Sequence, residues 1–249
     1  SRLGTALTRF AVIIWAYQVY NSVMALALLG AFSCLAFVIA SPFAGVLVDR
    51  LNRRKVMLLS DIGAGLMTAA MLTLFLLGRL ELWQVYVAEI LSGFFEAFQE
   101  PAYSASITVL VPKEQLTRTN GLLGLSRSVI SLLVPVIAGL LLSAFNLGAV
   151  MAIDLFTLGL AITSLALIRI PNPPPSEEGA RAAGSFFKQM RYGLSYIYKR
   201  PGFRGILFVF FLINLFASIT YMTILTPMVL ARTGGDEVAL GIVRTVMGV

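Results

Sequence analysis

The sequence contains no histidine and a single cysteine, Cys34. Lack of histidine excludes zinc hydrolases, histidine-based catalytic triads and histidine proton relays. One cysteine excludes an intrachain disulfide and any multi-cysteine metal site; Cys34 itself is expected to act as a small buried hydrophobe. Charge is scarce too. Only 12% of residues are charged and 58% are hydrophobic, and the mean hydropathy is +0.88. A soluble domain carries about 25% charged residues, so a chain of 249 residues with so few does not cover a soluble surface. The phosphate-cradling pattern G-x-x-x-x-G-K-[ST] is also missing, which leaves no ATP-driven machinery in this stretch.

What is present is a series of long apolar runs. A helix needs about 20 apolar residues to cross about 30 Å of hydrocarbon. Spans are expected at residues 3–20, 25–48, 56–77, 82–107, 120–144, 147–168 and 203–230, and an eighth begins at Val238 and is cut at Val249. The chain is therefore expected to be an all-α, polytopic membrane protein, truncated at both ends. The net charge of +7 fits a membrane surface rather than nucleic acid, because the basic residues sit in alternate connections. One set holds Arg50, Arg53, Arg54, Lys55, Lys113 and Arg118, followed by Arg169, Arg181, Lys188, Arg191, Lys199, Arg200 and Arg204. The other set holds only Arg79 and Arg232. This bias places the loops after spans 2, 4 and 6 in the cytoplasm, with Trp83 and Tyr86 at the outer interface.

Residues 171–185 read PNPPPSEEGARAAGS, a proline-rich and polar stretch that does not continue a helix. Behind it, residues 186–199 place Phe187, Met190, Leu194 and Ile197 at helical spacing with basic residues between, as an amphipathic surface helix would. The expected organisation is a transmembrane bundle over 1–170, a cytoplasmic linker with that helix over 171–202, and the start of a second bundle over 203–249. Six spans, a basic connector and further spans outline a two-half transporter.

The connection after span 2 runs from Gly45 to Leu58 and reads GVLVDRLNRRKVML. It resembles the major facilitator loop motif, G-x-L-x-D-R-x-G-R-[RK]-x-x-x-L, with Gly45, Asp49, Arg50, Arg53 and Arg54 in register. The departure is Asn52 in place of glycine; asparagine tolerates positive φ, so the tight turn is expected to survive. Gly45 is expected to let helices approach closely. The resemblance implies the major facilitator fold, and a role for Asp49 and the arginines as a conformational latch to the other half-bundle. Basic anchoring alone would explain Arg50 to Lys55 but not Gly45, Leu47 and Asp49.

The stretches EAFQEPAYSASITVLVPKEQLTRTNG, from Glu96, and AIDLFT, from Ala152, are similar to bacterial exporters of the macrolide-efflux and enterobactin-exporter branch. In span 5 the antiporter pattern G-x-x-x-G-P-x-x-G-G survives only as Pro135 and Gly139. Pro135 is expected to kink the helix where helices pack.

Charges inside the spans are the main functional clue, since each costs on the order of 2.5–3.5 kcal/mol at the bilayer centre. Span 4 carries Glu89, Glu96 and Glu100. Offsets of seven and eleven residues place them within about 40° of one another on one helix face. Arg127 lies at a depth comparable to Glu100 and can pair with Glu100 or Glu96; Arg9 can answer Glu96 or Glu89. A carboxylate removed from water binds its proton more tightly. Glu96 with Glu89 is thus a candidate for binding a coupling proton or a cationic substrate, with Arg9 and Arg127 as fixed counter-charges. Static ion pairs holding the bundle together are the competing reading. Asp61 is expected to pair with the motif arginines, and Asp154 either to line the cavity or to serve a helix contact.

The resemblance implies proton-coupled efflux of a drug-like amphipathic compound, such as a macrolide or siderophore, across a bacterial inner membrane. Its partners would be a small-molecule substrate, protons and membrane lipid, with no nucleic acid, no cofactor and no metal, and the protein would be a monomer. Proton-linked uptake and a non-transporting receptor or assembly protein on the same fold stay open. A membrane-embedded enzyme would need convergent His, Asp or Cys side chains, and the composition opposes it.

Overall fold

A computed structural model of the chain describes residues 2–168, 195, 198–218 and 232. The described helices are α1 (Arg2–Tyr20), α2 (Val23–Arg50), α3 (Arg53–Leu76), α4 (Leu82–Leu110), α5 (Leu116–Ala144), α6 (Leu147–Leu167) and α7 (Pro201–Ser218), with a short 3₁₀ turn at Lys113–Gln115 before α5. The chain divides into two units, Ser1–Arg181 and Ala182–Val249. The first holds α1 to α6. The second holds α7, whose Phe208, Phe210, Phe211 and Phe216 are exposed. The proline-rich stretch, most of the expected amphipathic helix and the eighth span lie outside the described residues.

Among the described residues, four helices contain segments long and apolar enough to cross a membrane: Leu28–Val48, Arg53–Leu76, Lys113–Ala144 and Leu147–Leu167. The other two helices of the first unit, α1 and α4, carry Arg2, Arg9 and the three glutamates. Those charges lower their mean hydropathy, and they fit helices that face water rather than lipid along one side.

Local sequence sets the helix ends. Ser22 and Asn146 cap α2 and α6 by accepting from the backbone N–H groups of Ala25 and Ala149. Glu81 and Gln84 form a reciprocal capping box at the start of α4. At the end of α3, Gly78 takes φ +67°, the left-handed conformation that spares glycine a Cβ clash. Its N–H bonds to Phe75 and that of Arg79 to Leu74, closing the helix with a double turn.

Asn52 behaves differently from expectation. Its φ is −65°, so it does not use the left-handed region; it caps α3 by accepting from the Lys55 N–H at 3.2 Å. Side-chain oxygen, not turn flexibility, is what asparagine supplies at the position where the resembled motif has glycine. Gly45 also departs from expectation. A Cβ added there meets nothing within 4 Å, so it marks no close helix approach among the described residues. That approach occurs instead at Gly93 of α4, where a Cβ would collide with the Ser33 main-chain carbonyl of α2.

In packing, α2 lies mainly against α4, α3 against α4 and α6, and α1 against α6 and α5. The core uses small residues at these contacts: Ala11, Ala16 and Ala138 are fully buried, with Val12, Val85, Val150 and Met151 among them. Large apolar side chains such as Leu66, Leu76, Leu140 and Phe156 point outward. Small residues inside and large ones outside is the pattern of helices packed within lipid.

Candidate functional site

Antiparallel register between α1 and α4 builds the site. At one end the Leu82 N–H donates to the Tyr20 hydroxyl at 3.0 Å. Eleven residues back along α1, Arg9 faces Glu89 and Glu96. Seven residues further back, Arg2 reaches Glu100 at 2.5 Å. Each step along α1 is thus matched by a step the opposite way along α4. Extensive packing does not join this pair of helices, which are bridged by the long arginine side chains and, at the far end, by Tyr20.

Arg9 stands between its two carboxylates. Its Nε is 3.5 Å from Glu89 and its Nη2 is 3.1 Å from Glu96, and Nη2 also donates to the Ser33 hydroxyl at 3.5 Å. The environments of the two acids differ. The Glu89 side chain is 9% exposed and that of Glu96 is 48% exposed. Glu100 is shared by Arg2 and by Arg127 of α5, the latter at 2.7 Å, and Arg2 also lies over the Tyr103 ring. Of the pairings left open by depth, Arg9 reaches both Glu89 and Glu96, and Arg127 takes Glu100 rather than Glu96.

Two cavities flank this network. The larger, about 410 Å³, is lined by Arg2, Arg9, Asp61, Glu96, Glu100, Arg127 and Asp154 together with Phe37, Thr68 and Gln99. The second, about 360 Å³, is lined by Arg9, Glu89 and Glu96 with Val12, Ile13, Ser33 and Cys34. Arg9, Glu96 and Phe37 belong to both walls and so form the partition. Cys34 is exposed, contrary to the expectation of a buried hydrophobe, because α2 turns it toward the second cavity.

Asp154 of α6 is 3% exposed and accepts from Thr5 of α1 at 3.3 Å and from Thr68 of α3 at 3.4 Å. It therefore both lines the cavity and serves a helix junction. Asp61 accepts from Gln99 at 2.5 Å and lines the same cavity. Of the motif arginines, Arg53 donates to the Ala105 carbonyl of α4 at 2.8 Å, and Arg54 to the Leu165 and Ala166 carbonyls of α6. The last carbonyls of α6 lack helical partners, and a cation at that negative end satisfies them. The side chains of Asp49 and Arg50 lie outside the described residues. Pro135 lies within α5, which continues as helix to Ala144.

A superfamily model describing the Major Facilitator Superfamily matches residues 1–249 of the sequence. The chain belongs to the Major Facilitator Superfamily. Its helical, multi-pass architecture is the membrane fold of that superfamily. Macrolide efflux protein A of Streptococcus pyogenes is 27% identical over 224 residues, which covers 90% of this chain and 54% of that protein. The macrolide efflux protein A of Enterococcus faecalis is 29% identical over 202 residues, 81% of this chain and 60% of that protein. Enterobactin exporter EntS of Shigella flexneri is 33% identical over 135 residues, 53% of this chain and 32% of that protein. The matched region thus spans little more than half the length of the two macrolide efflux proteins.

Several site residues of this superfamily member were not singled out in the sequence. Arg2 sits at the first helical position, where a basic residue reads as an interface anchor. Thr5, Thr68, Ser33 and Gln99 are uncharged and individually unremarked in apolar helices. Heptad spacing of Arg2 and Arg9, matching Glu89 and Glu96, is the signal that would have found Arg2.

Proposed function

We propose that the full-length protein is a secondary active exporter in a bacterial inner membrane. It would couple proton entry to efflux of a drug-like amphipathic compound, such as a macrolide or siderophore. The observation that carries this reading is Arg9 held between buried Glu89 and half-exposed Glu96 on the partition of two cavities. One guanidinium neutralises one carboxylate, so the second carries a charge that a proton or a cationic substrate removes. Arginine keeps its charge throughout, so the exchange falls on the glutamates. When a proton or cation takes over one of the two carboxylates, Arg9 is left to the other alone, and the bridge between α1 and α4 weakens.

The relatives named as efflux proteins favour outward transport of a small molecule. Transport would proceed by alternating access, with two half-bundles rocking about a site near the midplane. The loops after α2, α4 and α6 would lie in the cytoplasm, and the protein would work as a monomer.

The test is accumulation of a panel of macrolides and siderophores in an efflux-deficient bacterium expressing the full-length gene, with and without a protonophore. Lower accumulation that the protonophore reverses, and that Glu96→Gln removes, is the expected result. Equal accumulation with and without the expressed protein, across the panel, would overturn export.

A further inference from the structure

Asp154 differs from the glutamates in having hydroxyls, rather than a guanidinium, as its hydrogen-bond partners among the described residues. It lies where α1, α3 and α6 meet. A Cβ added at Gly4 would stand 2.7 Å from its carboxylate and press on Thr157, so α1 lies directly against it. Thr5 faces one carboxylate oxygen at 3.3 Å and Thr68 the other at 3.4 Å. Hydroxyl–carboxylate hydrogen bonds are normally about 2.5–3.0 Å long. By contrast, two oxygens that share a cation at about 2.4 Å each, at right angles, stand about 3.4 Å apart.

Thr8 supplies the second, independent observation. It is one turn along α1 from Thr5, is 4% exposed, and faces the Asp154 carboxylate. Its hydroxyl oxygen is fully buried and lies near that carboxylate without reaching hydrogen-bonding geometry. A buried hydroxyl without a partner costs about 1–3 kcal/mol, and an apolar side chain of the same shape would avoid that cost. An oxygen ligand to a bound ion would offset it.

We propose that Asp154, with the hydroxyls of Thr5, Thr8 and Thr68, forms a binding site for a monovalent metal cation, sodium by size. All the donors are hard oxygens, which suit an alkali or alkaline-earth ion rather than a thiophilic metal. Only one carries charge, and one carboxylate neutralises one positive charge; a divalent ion would remain uncompensated in the membrane. The larger cavity reaches Asp154, Thr5 and Thr68 and provides the entry path. Because the site joins three helices, an ion bound there would hold α1 against α3 and α6.

The experiment uses the purified full-length protein in detergent and reads binding of radiolabelled sodium, with thermal unfolding in sodium chloride against choline chloride at equal ionic strength. Saturable binding of about one sodium per chain and a higher Tm in sodium are expected, both lost in Asp154→Asn and both retained in Glu96→Gln. Thr68→Val should weaken sodium affinity about tenfold or more. Thr8→Val keeps shape and removes only an unbonded hydroxyl. If that hydroxyl is a ligand the sodium-dependent rise in Tm shrinks, and this variant decides the matter should Asp154→Asn not fold. No saturable sodium binding by the wild-type protein, or a Thr8→Val variant with unchanged sodium response, overturns the site. Either result leaves the export reading untouched, since it is read from accumulation and not from sodium binding.

Discussion

Arg9 is within 3.5 Å of Glu89, and the glutamate side chain is 9% exposed while the arginine is 38% exposed. The buried partner therefore depends on the wetter one. Replacing Arg9 by Leu leaves a carboxylate without its cation. Breaking a fully buried pair costs about 3–5 kcal/mol; with solvent screening at Arg9, about 1–3 kcal/mol is expected. Adding Glu89→Gln should restore part of that loss. A double-mutant cycle on chemical unfolding in detergent measures the coupling, and additive single effects would mean the pair is not coupled.

The contact of α2 with α4 includes a close main-chain approach at Gly93. Gly93→Ala places a Cβ into the Ser33 main-chain carbonyl, which cannot rotate away as a side chain would. A loss of about 1–3 kcal/mol is expected, as for other overpacked sites. Gly139→Ala, in open space on α5, should instead be neutral or stabilising by up to about 1 kcal/mol through helix propensity. The melting temperature should fall for Gly93→Ala and hold or rise for Gly139→Ala.

Asn52 acts through its side-chain oxygen on the Lys55 N–H. Asn52→Ala should cost about 1 kcal/mol, whereas Asn52→Gly, the residue usual in the family motif, should cost only a few tenths. A larger penalty for glycine than for alanine in thermal unfolding would contradict the capping role.

Cys34 opens to the second cavity beside Glu89 and Glu96. A water-soluble maleimide should modify it in the folded full-length protein, and a transported compound should slow the modification. Labelling only after denaturation would show that water does not enter that cavity.

Much of the first unit was legible because its signals are periodic. The expected span at 82–107 corresponds to α4, Leu82–Leu110, and the span at 147–168 to α6, Leu147–Leu167. Seven- and eleven-residue offsets place Glu89, Glu96 and Glu100 on one face, and the cost of burying charge calls for a partner, a wet cavity or a proton at each. Single-residue inferences transferred less well. The motif implies a close approach at Gly45 and a turn at Asn52, yet the close approach occurs at Gly93, and asparagine caps where the family has glycine. Cys34 was read from the usual burial of cysteine, while its exposure depends on how α2 is rotated. The hydroxyls around Asp154 left no periodic trace, since threonine is unremarkable within an apolar helix and gains meaning only when three helices converge.

The two flanks of α4 differ mechanically. Toward α2, main chain lies against main chain at Gly93, a stiff contact that yields only by separating. Toward α1, the connection runs through arginine side chains, which rotate and extend. An ångström of sliding changes their rotamers before it breaks their charges apart. The cavity wall therefore has a rigid side and a compliant side, and sliding of α1 and α4 past each other is absorbed by the side chains between them.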